Sequence, residues 1–391
     1  MKTVLTLLCA MTIAAAAVLL PRVPARAQGG TEPITAGNAD QVALIATLDA
    51  GATIYTLDVE FNPAGTVIAT ATWDLTDRGG ASVVWLWTLD DFTSFASLTD
   101  HPWPVISMLF TPNSNRLFTA GISLEDESNP IRMWNGRTGD GQALMEGHTW
   151  TVPDMALRND GAVLASASWD RTVRLWNGFT GEALTALEGH ADDVQDVTFS
   201  SIGALASASS DGTVWIWNSV SGFVMNILIG HSGDVNAVDF APDGDILASG
   251  SRDATVRLWD VETGETLTTL EASAPVRDVK YSPDGTVLAA LDEGGLIWLW
   301  DAASGEALSA PLPGADPNVA FIFSPDGSLL VSAAPDGKIQ LWDVAGAALV
   351  AVLDGHAVDA TSQAYTLAFN PDGSLLATGG NDGGAKLWGI P

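Results

Sequence analysis

The sequence predicts an all-β fold in which eight repeats form the blades of a β-propeller. Tryptophan recurs every 41 to 47 residues, at Trp87, Trp134, Trp176, Trp217, Trp259, Trp300, Trp342 and Trp388. The stretch from Gly147 to Asn177 is representative, because it holds three short runs of alternating apolar residues separated by turn sequences. A repeat of this length, with Gly-His early and Trp-Asp late, is typical of propeller blades.

Tight turns and apolar strands recur throughout these repeats. Pro-Asp-Gly follows the first run in four of them, ending at Gly244, Gly285, Gly327 and Gly373. Proline fixes φ at the start of such a turn and glycine takes the positive φ that follows. The runs are apolar on both faces, so each blade should be covered on both sides by its neighbours.

The N-terminus carries a targeting signal. An apolar run over residues 3–20 is followed by Ala-Arg-Ala ending at Ala27, which predicts a bacterial secretory signal peptide, residues 1–27. A retained membrane anchor is the alternative, because two arginines follow a long run. Residues 28–40 are rich in Gly and Pro and predict a flexible lead-in, and residues 41–391 form the propeller. The mature protein is then expected to be secreted, periplasmic or on the cell surface, with no membrane segment.

The chain is strongly acidic. It has 16 Lys and Arg against 47 Asp and Glu, a formal charge of −31, and cleavage would remove three of the 16 basic residues to give −34. Such a surface repels phosphate backbones, which argues against a nucleic-acid partner. Cys9 is the single cysteine and lies in the signal region, so a mature chain would have neither disulfides nor thiolate metal sites.

The residues at the two ends of each repeat resemble the WD-repeat (Trp-Asp) family of β-propellers. They are Gly147-His148, Gly189-His190, Gly230-His231 and Gly355-His356 at one end, and Trp259-Asp260, Trp300-Asp301 and Trp342-Asp343 at the other. The resemblance spans about residues 41–391. It implies four-stranded antiparallel blades, with each repeat supplying the outer strand of one blade and three strands of the next. Residues 41–48 would therefore pair with the last blade and close a ring of eight.

A polar set recurs in the third, fourth and fifth repeats. It consists of His148, Ser166, Asp170 and Trp176; His190, Ser207, Asp211 and Trp217; and His231, Ser249, Asp253 and Trp259. Ser, His and Asp together suggest a hydrolase. An active site is needed only once, however, whereas every blade needs buried hydrogen bonds, and the family resemblance implies such a structural network.

The remaining residues offer little to catalysis. The five histidines (His101, His148, His190, His231 and His356) share one repeat position, so none is left for a general base or a zinc site. No carboxylate pair suited to a glycosidase stands out from the turn residues, and no phosphate-binding loop is present. We therefore expect no enzyme activity, no cofactor and no metal. The sixth repeat has Ala272, Ala290 and Gly294 in the His, hydroxyl and Asp positions, so its blade should lack the network.

Two features predict a binding surface on one face. Four tryptophans lie outside the regular packing positions: Trp73, Trp103, Trp150 and Trp169. The long loops at 75–82, 123–130 and 357–364 belong to repeats one, two and eight, which are neighbours in a closed ring. The second of these loops adds the charges of Glu125, Asp126 and Glu127. Exposed aromatic residues commonly anchor interfaces, although they can also serve only to fix loops.

The sequence therefore favours an extracytoplasmic scaffold that binds a protein partner through one rim. A carbohydrate- or small-ligand-binding propeller is the alternative, because tryptophan also stacks on sugars. A carboxylate-based hydrolase comes third.

Overall fold

The computed structural model describes residues 32–51, 54–74, 82–122, 129–319, 321–356, 363–382 and 384–391. In these ranges the chain forms eight four-stranded antiparallel sheets and one short 3-10 helix, Ala39–Gln41. The predicted eight-bladed propeller is confirmed. No helix in the same ranges is long and apolar enough to cross a membrane.

Each of the first four blades follows the chain from its inner to its outer strand. Blade 1 contains β2 (Ile54–Phe61), β3 (Val67–Asp74), β4 (Ser82–Thr88) and β5 (Ser94–His101); blade 2 contains β6 (Val105–Phe110), β7 (Arg116–Gly121), β8 (Ile131–Asn135) and β9 (Gly141–Met145); blade 3 contains β10 (Asp154–Leu157), β11 (Val163–Ala167), β12 (Thr172–Asn177) and β13 (Ala183–Glu188); and blade 4 contains β14 (Val194–Phe199), β15 (Ala204–Ser209), β16 (Thr213–Asn218) and β17 (Val224–Ile229).

The next three blades repeat this order, and blade 8 takes its outer strand from the N-terminus. Blade 5 contains β18 (Val235–Phe240), β19 (Ile246–Ser251), β20 (Thr255–Asp260) and β21 (Thr266–Glu271); blade 6 contains β22 (Val276–Tyr281), β23 (Val287–Asp292), β24 (Leu296–Asp301) and β25 (Leu312–Pro313); blade 7 contains β26 (Ile322–Phe323), β27 (Leu329–Ala333), β28 (Ile339–Asp343) and β29 (Ala348–Leu353); and blade 8 contains β30 (Ala364–Phe369), β31 (Leu375–Gly380), β32 (Gly384–Gly389) and β1 (Ala43–Asp49).

The N-terminal strand closes the ring. β1 pairs antiparallel with β32, from Ala43 opposite Gly389 to Asp49 opposite Gly384. Without β1, the outer edge of β32 would expose unpaired backbone groups. The predicted pairing of the first strand with the last blade is therefore confirmed.

The hydrophobic core lies between the blades. In one cluster Val84 and Leu86 of blade 1 pack with Met108, Phe110 and Trp134 of blade 2, and seven similar clusters join the other blades. The eight repeat tryptophans are all buried, with at most 6% of their surface exposed. Strands that are apolar on both faces thus bury each face against a neighbouring blade.

The described part of the lead-in differs from the flexible segment predicted for residues 28–40. Ile34 is 1% exposed and its N–H donates to the carbonyl of Gly373 at 2.9 Å. Ala39 is equally buried, and both join the core cluster between blades 7 and 8. Although this segment is short and rich in turn-forming residues, its two apolar side chains fasten it to the ring.

The strand order fixes two faces of the ring. The upper face carries the loops from each outer strand to the next inner strand and the loops between second and third strands. The lower face carries the turns between first and second strands and between third and outer strands. The insertions predicted at 75–82, 123–130 and 357–364 attach to the upper face, but nearly all of their residues fall outside the described ranges.

Candidate functional site

Four side chains join the strands of blade 3 just below its upper face. The His148 Nδ1–H donates to Asp170 Oδ2 at 2.8 Å, and Nε2 lies 2.7 Å from Ser166 Oγ. The Trp176 indole N–H donates to the same Ser166 oxygen at 2.9 Å. Because a carboxylate only accepts, Nδ1 carries the proton and Nε2 accepts from the serine hydroxyl. Every polar atom at the centre of the network has a partner.

The same geometry recurs in the two following blades. In blade 4, His190 lies 3.0 Å from Asp211 and 2.8 Å from Ser207, which also accepts from Trp217. In blade 5 the corresponding residues are His231, Asp253, Ser249 and Trp259, with distances of 3.0, 2.8 and 2.8 Å. The twelve residues predicted from the repeats therefore meet in three sets of four.

Burial and hydrogen bonding set the charges in these networks. Burial lowers the pKa of His148 and His231, so both imidazoles are neutral at pH 7. Burial alone would raise the pKa of Asp170, but the hydrogen bonds from His148 and Thr172 outweigh it and lower the pKa below the usual value. Because the imidazole is neutral, hydrogen-bond donation rather than a full positive charge holds Asp170 ionised.

The Ser–His–Asp geometry matches that of a hydrolase triad, but its burial prevents that chemistry. Ser166, Ser207 and Ser249 are each 0% exposed, and each oxygen already accepts from an indole N–H. A nucleophilic hydroxyl must reach the substrate carbonyl, and these three cannot. The networks hold the loops of the upper face to the strands below. The described residues also contain no group of three or more His, Cys, Asp or Glu side chains placed to hold a metal ion.

Blade 6 forms a network that the sequence did not predict. Asp292 lies two residues before the expected position and is 0% exposed. One of its oxygens accepts from Ser273 Oγ at 2.8 Å and from the Trp298 indole at 3.0 Å. The other accepts from the backbone N–H of Gly294 and Leu296. Blade 6 therefore lacks the polar side chains of the recurring network, as its sequence indicates, but Asp292, two residues earlier, holds the same loop through a different set of bonds.

Two of the four predicted tryptophans meet on the upper face. Trp150 is 37% exposed, and its ring contacts the edge of Trp169 with centroids 6.5 Å apart. Trp169 is half-buried, and its indole N–H donates to Gln195 Oε1 of blade 4 at 3.2 Å. Gln195 in turn donates to Ser210 Oγ at 2.8 Å. Trp169 is thus held by side chains that cross from blade 3 to blade 4.

The other predicted surface residues lie in blades 1 and 2. Trp73 is half-buried on β3, opposite Tyr55 and Ser82 in the strand ladders. Trp103 is half-buried in the loop that leads into blade 2. Glu125, Asp126 and Glu127 fall outside the described residues.

Charged side chains lie in the same upper-face loops of blades 3 and 4 as the tryptophan pair. Asp192 is exposed next to Asp193 in the loop that leads into blade 4, and Arg171 is exposed beside Asp170. Burial and the charge of Asp192 raise the pKa of Asp193, whereas Arg171 opposes this shift. The described surface near Trp150 therefore combines an aromatic pair with acidic groups.

Comparison with known proteins agrees with this architecture. The WD40 family profile (WD domain, G-beta repeat) matches residues 141–177, 181–218, 222–260, 264–301, 310–343 and 347–389, more than half of the chain. The chain belongs to the WD-repeat family. Propellers of this family generally act as non-enzymatic scaffolds that bind protein partners. The comparison with curated proteins gave no match.

Among solved structures, this WD-repeat protein is similar to the computationally designed Ika8 protein. The two are 23% identical with a TM-score of 0.73, and the alignment covers 89% of this chain and 99% of Ika8. At this identity the similarity concerns the fold alone.

Proposed function

We propose that this WD-repeat protein is an extracytoplasmic scaffold that binds a protein partner through the upper face of blades 8, 1, 2 and 3. The observation that carries the proposal is the exposed Trp150 packed edge-on against Trp169. Large aromatic side chains presented at a surface are the residues that most often dominate binding energy in protein interfaces.

The contacts of Trp169 support this role. Its N–H is fixed by Gln195 and its ring by Trp150, so little side-chain freedom remains to be lost when a partner binds. The network below holds the backbone of the same loop, since Asp170 accepts from both His148 and the N–H of Thr149. A rigid aromatic pair on a rigid loop is well suited to binding.

The surrounding charge indicates the chemistry of the partner. Asp100 and Asp192 are exposed on this face, and the chain as a whole carries −31. A partner with basic side chains around an apolar centre would associate faster at low salt than at high salt.

The test compares tryptophan variants with a matched aromatic control. A pull-down from the extracytoplasmic fraction with the wild-type protein supplies the partner. Trp150→Ala, Trp169→Ala and Trp73→Ala should then each weaken its binding by roughly tenfold to a hundredfold, corresponding to about 2 kcal/mol or more. Phe179→Ala is the control, because Phe179 is 42% exposed in the same blade but at the lower face.

The outcomes separate binding from loop anchoring. Binding variants should keep the wild-type melting temperature. A large fall in melting temperature would show instead that the tryptophans only fix loops. If Trp150→Ala binds as tightly as wild type and Phe179→Ala loses binding, the partner binds at the lower face instead. Quenching of tryptophan fluorescence by polysaccharides, without a retained protein, would favour the carbohydrate alternative.

We further propose that the protein is exported and cleaved after Ala27. The support is the apolar run over residues 3–20 followed by Ala-Arg-Ala. Intact-mass measurement of exported protein should give a chain that begins at Gln28. A chain that retains Met1 in the membrane fraction would contradict cleavage.

A further inference from the structure

The lower-face turns and the outer strand of blade 4 carry the most exposed large apolar side chains in the described ranges. They are Ile202 (70%), Val220 (85%), Phe223 (75%) and Ile229 (75%), and no other large apolar side chain there exceeds 53%. Met225 and Ile227 on β17 are also about half exposed, at 50% and 45%. This surface, which we call the blade 4 wall, runs from the lower-face turns up the outer strand.

The blade 4 wall is also nearly free of charge. Between residues 197 and 233 the sequence contains one Asp, Glu, Lys or Arg, which is Asp211, and Asp211 is engaged by His190 in the network. The other 62 of the 63 charged residues in the chain, 16 basic and 47 acidic, lie outside this stretch. So long a stretch with a single charge is a local exception in so acidic a chain.

The repeat makes this exception visible at one position. The residue at the upper end of the outer strand is acidic in five of the eight blades: Asp49, Glu146, Glu188, Glu271 and Asp354. In blade 4 this position holds Ile229, which is exposed. Charged residues on edge strands normally prevent one sheet from pairing with another. Blade 4 lacks that protection although both neighbouring blades have it.

The backbone of β17 is available for such pairing. β17 is the last strand of its sheet, and within the described ranges no other strand pairs with its outer edge. Its inner edge is fixed by β16, from Thr213 opposite Ile229 to Trp217 opposite Val224. Asn226 further holds the strand, because its amide donates to the carbonyls of Val261 and Glu262 in blade 5. The free edge is therefore rigid.

We propose that the blade 4 wall binds a second copy of the same chain, with β17 pairing antiparallel to β17 of that copy. Two copies that each carry −31 repel one another, so they can meet only where both surfaces lack charge, and this wall meets that requirement. A two-fold axis through the middle of β17 places the lower end of each strand, near Val224, opposite the upper end of the other, near Ile229, so the contact is self-complementary. The two blades then form one continuous eight-stranded sheet.

The lower-face turns extend this contact. Ile202, Val220 and Met225 line a cavity of about 540 Å³ between blades 3 and 4. The nearest charges at its border, Arg158 and Asp160, pair with each other at 2.8 Å. The antiparallel arrangement brings the upper end of the second copy's β17, with Ile229, to this lower end of the wall, which would enlarge the interface beyond a single strand pair.

The first test is the mass of the full chain by light scattering and sedimentation at about 100 μM and lower. The wild type should have about twice the mass of one chain, which is 40.7 kDa before any cleavage. Ile229→Glu restores the acid found in blades 3 and 5, and symmetry places it twice in the interface, so the dimer dissociation constant should rise at least tenfold. Leu267→Glu is the matched control, because Leu267 is 51% exposed on the outer strand of blade 5.

Hydrogen exchange provides a second test that does not rely on substitution. The amides of residues 224–229 should exchange more slowly at high than at low protein concentration, while those of β21 should not change. Added salt should tighten the dimer, since it screens the repulsion between two acidic chains. A monomeric wild type, or a dimer disrupted by Leu267→Glu but not by Ile229→Glu, would overturn the proposal. So would a dimer whose β17 amides exchange independently of concentration.

Discussion

Replacing Asp170 by Ala removes one carboxylate that receives four hydrogen bonds. One oxygen accepts from His148 Nδ1 at 2.8 Å and from the N–H of Thr149 at 3.1 Å. The other accepts from the N–H and the hydroxyl of Thr172 at 3.0 and 2.6 Å. The substitution therefore removes the contact between two loops of the upper face. One joins the second and third strands of blade 3, and the other leads from blade 2 into blade 3.

The cost depends on which donors can find water instead. Thr149 is exposed and Thr172 is partly exposed, so their lost bonds should cost about 1 kcal/mol together. The side chain of His148 is 0% exposed, and a stranded Nδ1–H there should cost about 1–3 kcal/mol. The total is about 2–4 kcal/mol. With an unfolding entropy of about 2.1 cal/mol/K per residue over roughly 350 residues, the melting temperature should fall by roughly 3–5 °C.

The assay is thermal unfolding at pH 7, with Asp336→Ala as the control. Asp336 occupies the same position in blade 7, but it is 57% exposed and pairs only with Lys338. Its loss should change the melting temperature by about 1 °C or less. If Asp170→Ala melts like Asp336→Ala, the network does not stabilise the blade and the reasoning fails.

Three further predictions concern other parts of the ring. Burial raises the pKa of Asp58 to about 7, whereas the same group in the unfolded chain loses its proton near 3.8. The free energy of unfolding should therefore fall as pH rises from about 4 to 7. Melting curves from pH 4 to 8 should show that Asp58→Asn becomes more stable relative to wild type as the pH rises. Asp292→Ala should lower the melting temperature as Asp170→Ala does, because the Trp298 and Ser273 donors would lose their acceptor. An unchanged melting temperature would show that Asp292 does not stabilise blade 6. Ile34→Ala should cost about 2–5 kcal/mol by urea unfolding, because Ile34 is fully buried, and a cost near zero would mean that the lead-in does not stabilise the ring.

The repeat made most of the architecture predictable. A tryptophan every 41 to 47 residues gave the number of blades, and the unpaired segment before the first repeat gave the closing strand. These inferences depend on patterns that occur eight times. Ile34 escaped prediction because a single apolar residue between Pro33 and Gly37 has no periodicity. Its burial depends on blade 8, which lies next to Ile34 in space but far from it in the sequence.

The site was less predictable, because its contacts cross between repeats. Aligning repeats assigns Asp to one fixed position, so the carboxylate of Asp292 two residues earlier was missed. Gln195 links Trp169 of blade 3 to Ser210 of blade 4, a contact between two repeats that the pattern within one repeat does not show. The burial pattern of β17 is the same as that of β21, and what distinguishes β17 in the sequence is Ile229 in place of an acid.

The pairing of β1 with β32 makes blade 8 depend on two strands that lie far apart in the sequence. Ala43 and Gly389 face each other although they are 346 positions apart, as 389 − 43 shows. Bringing two strands so far apart in the chain together costs roughly 5 kcal/mol in loop entropy, which hydrogen bonds along β1 and the burial of Ile45 and Leu48 must offset. During synthesis, blades 1 to 7 can assemble before β30, β31 and β32 have been made, whereas blade 8 cannot. Loss of either β1 or β32 should therefore disrupt the same blade.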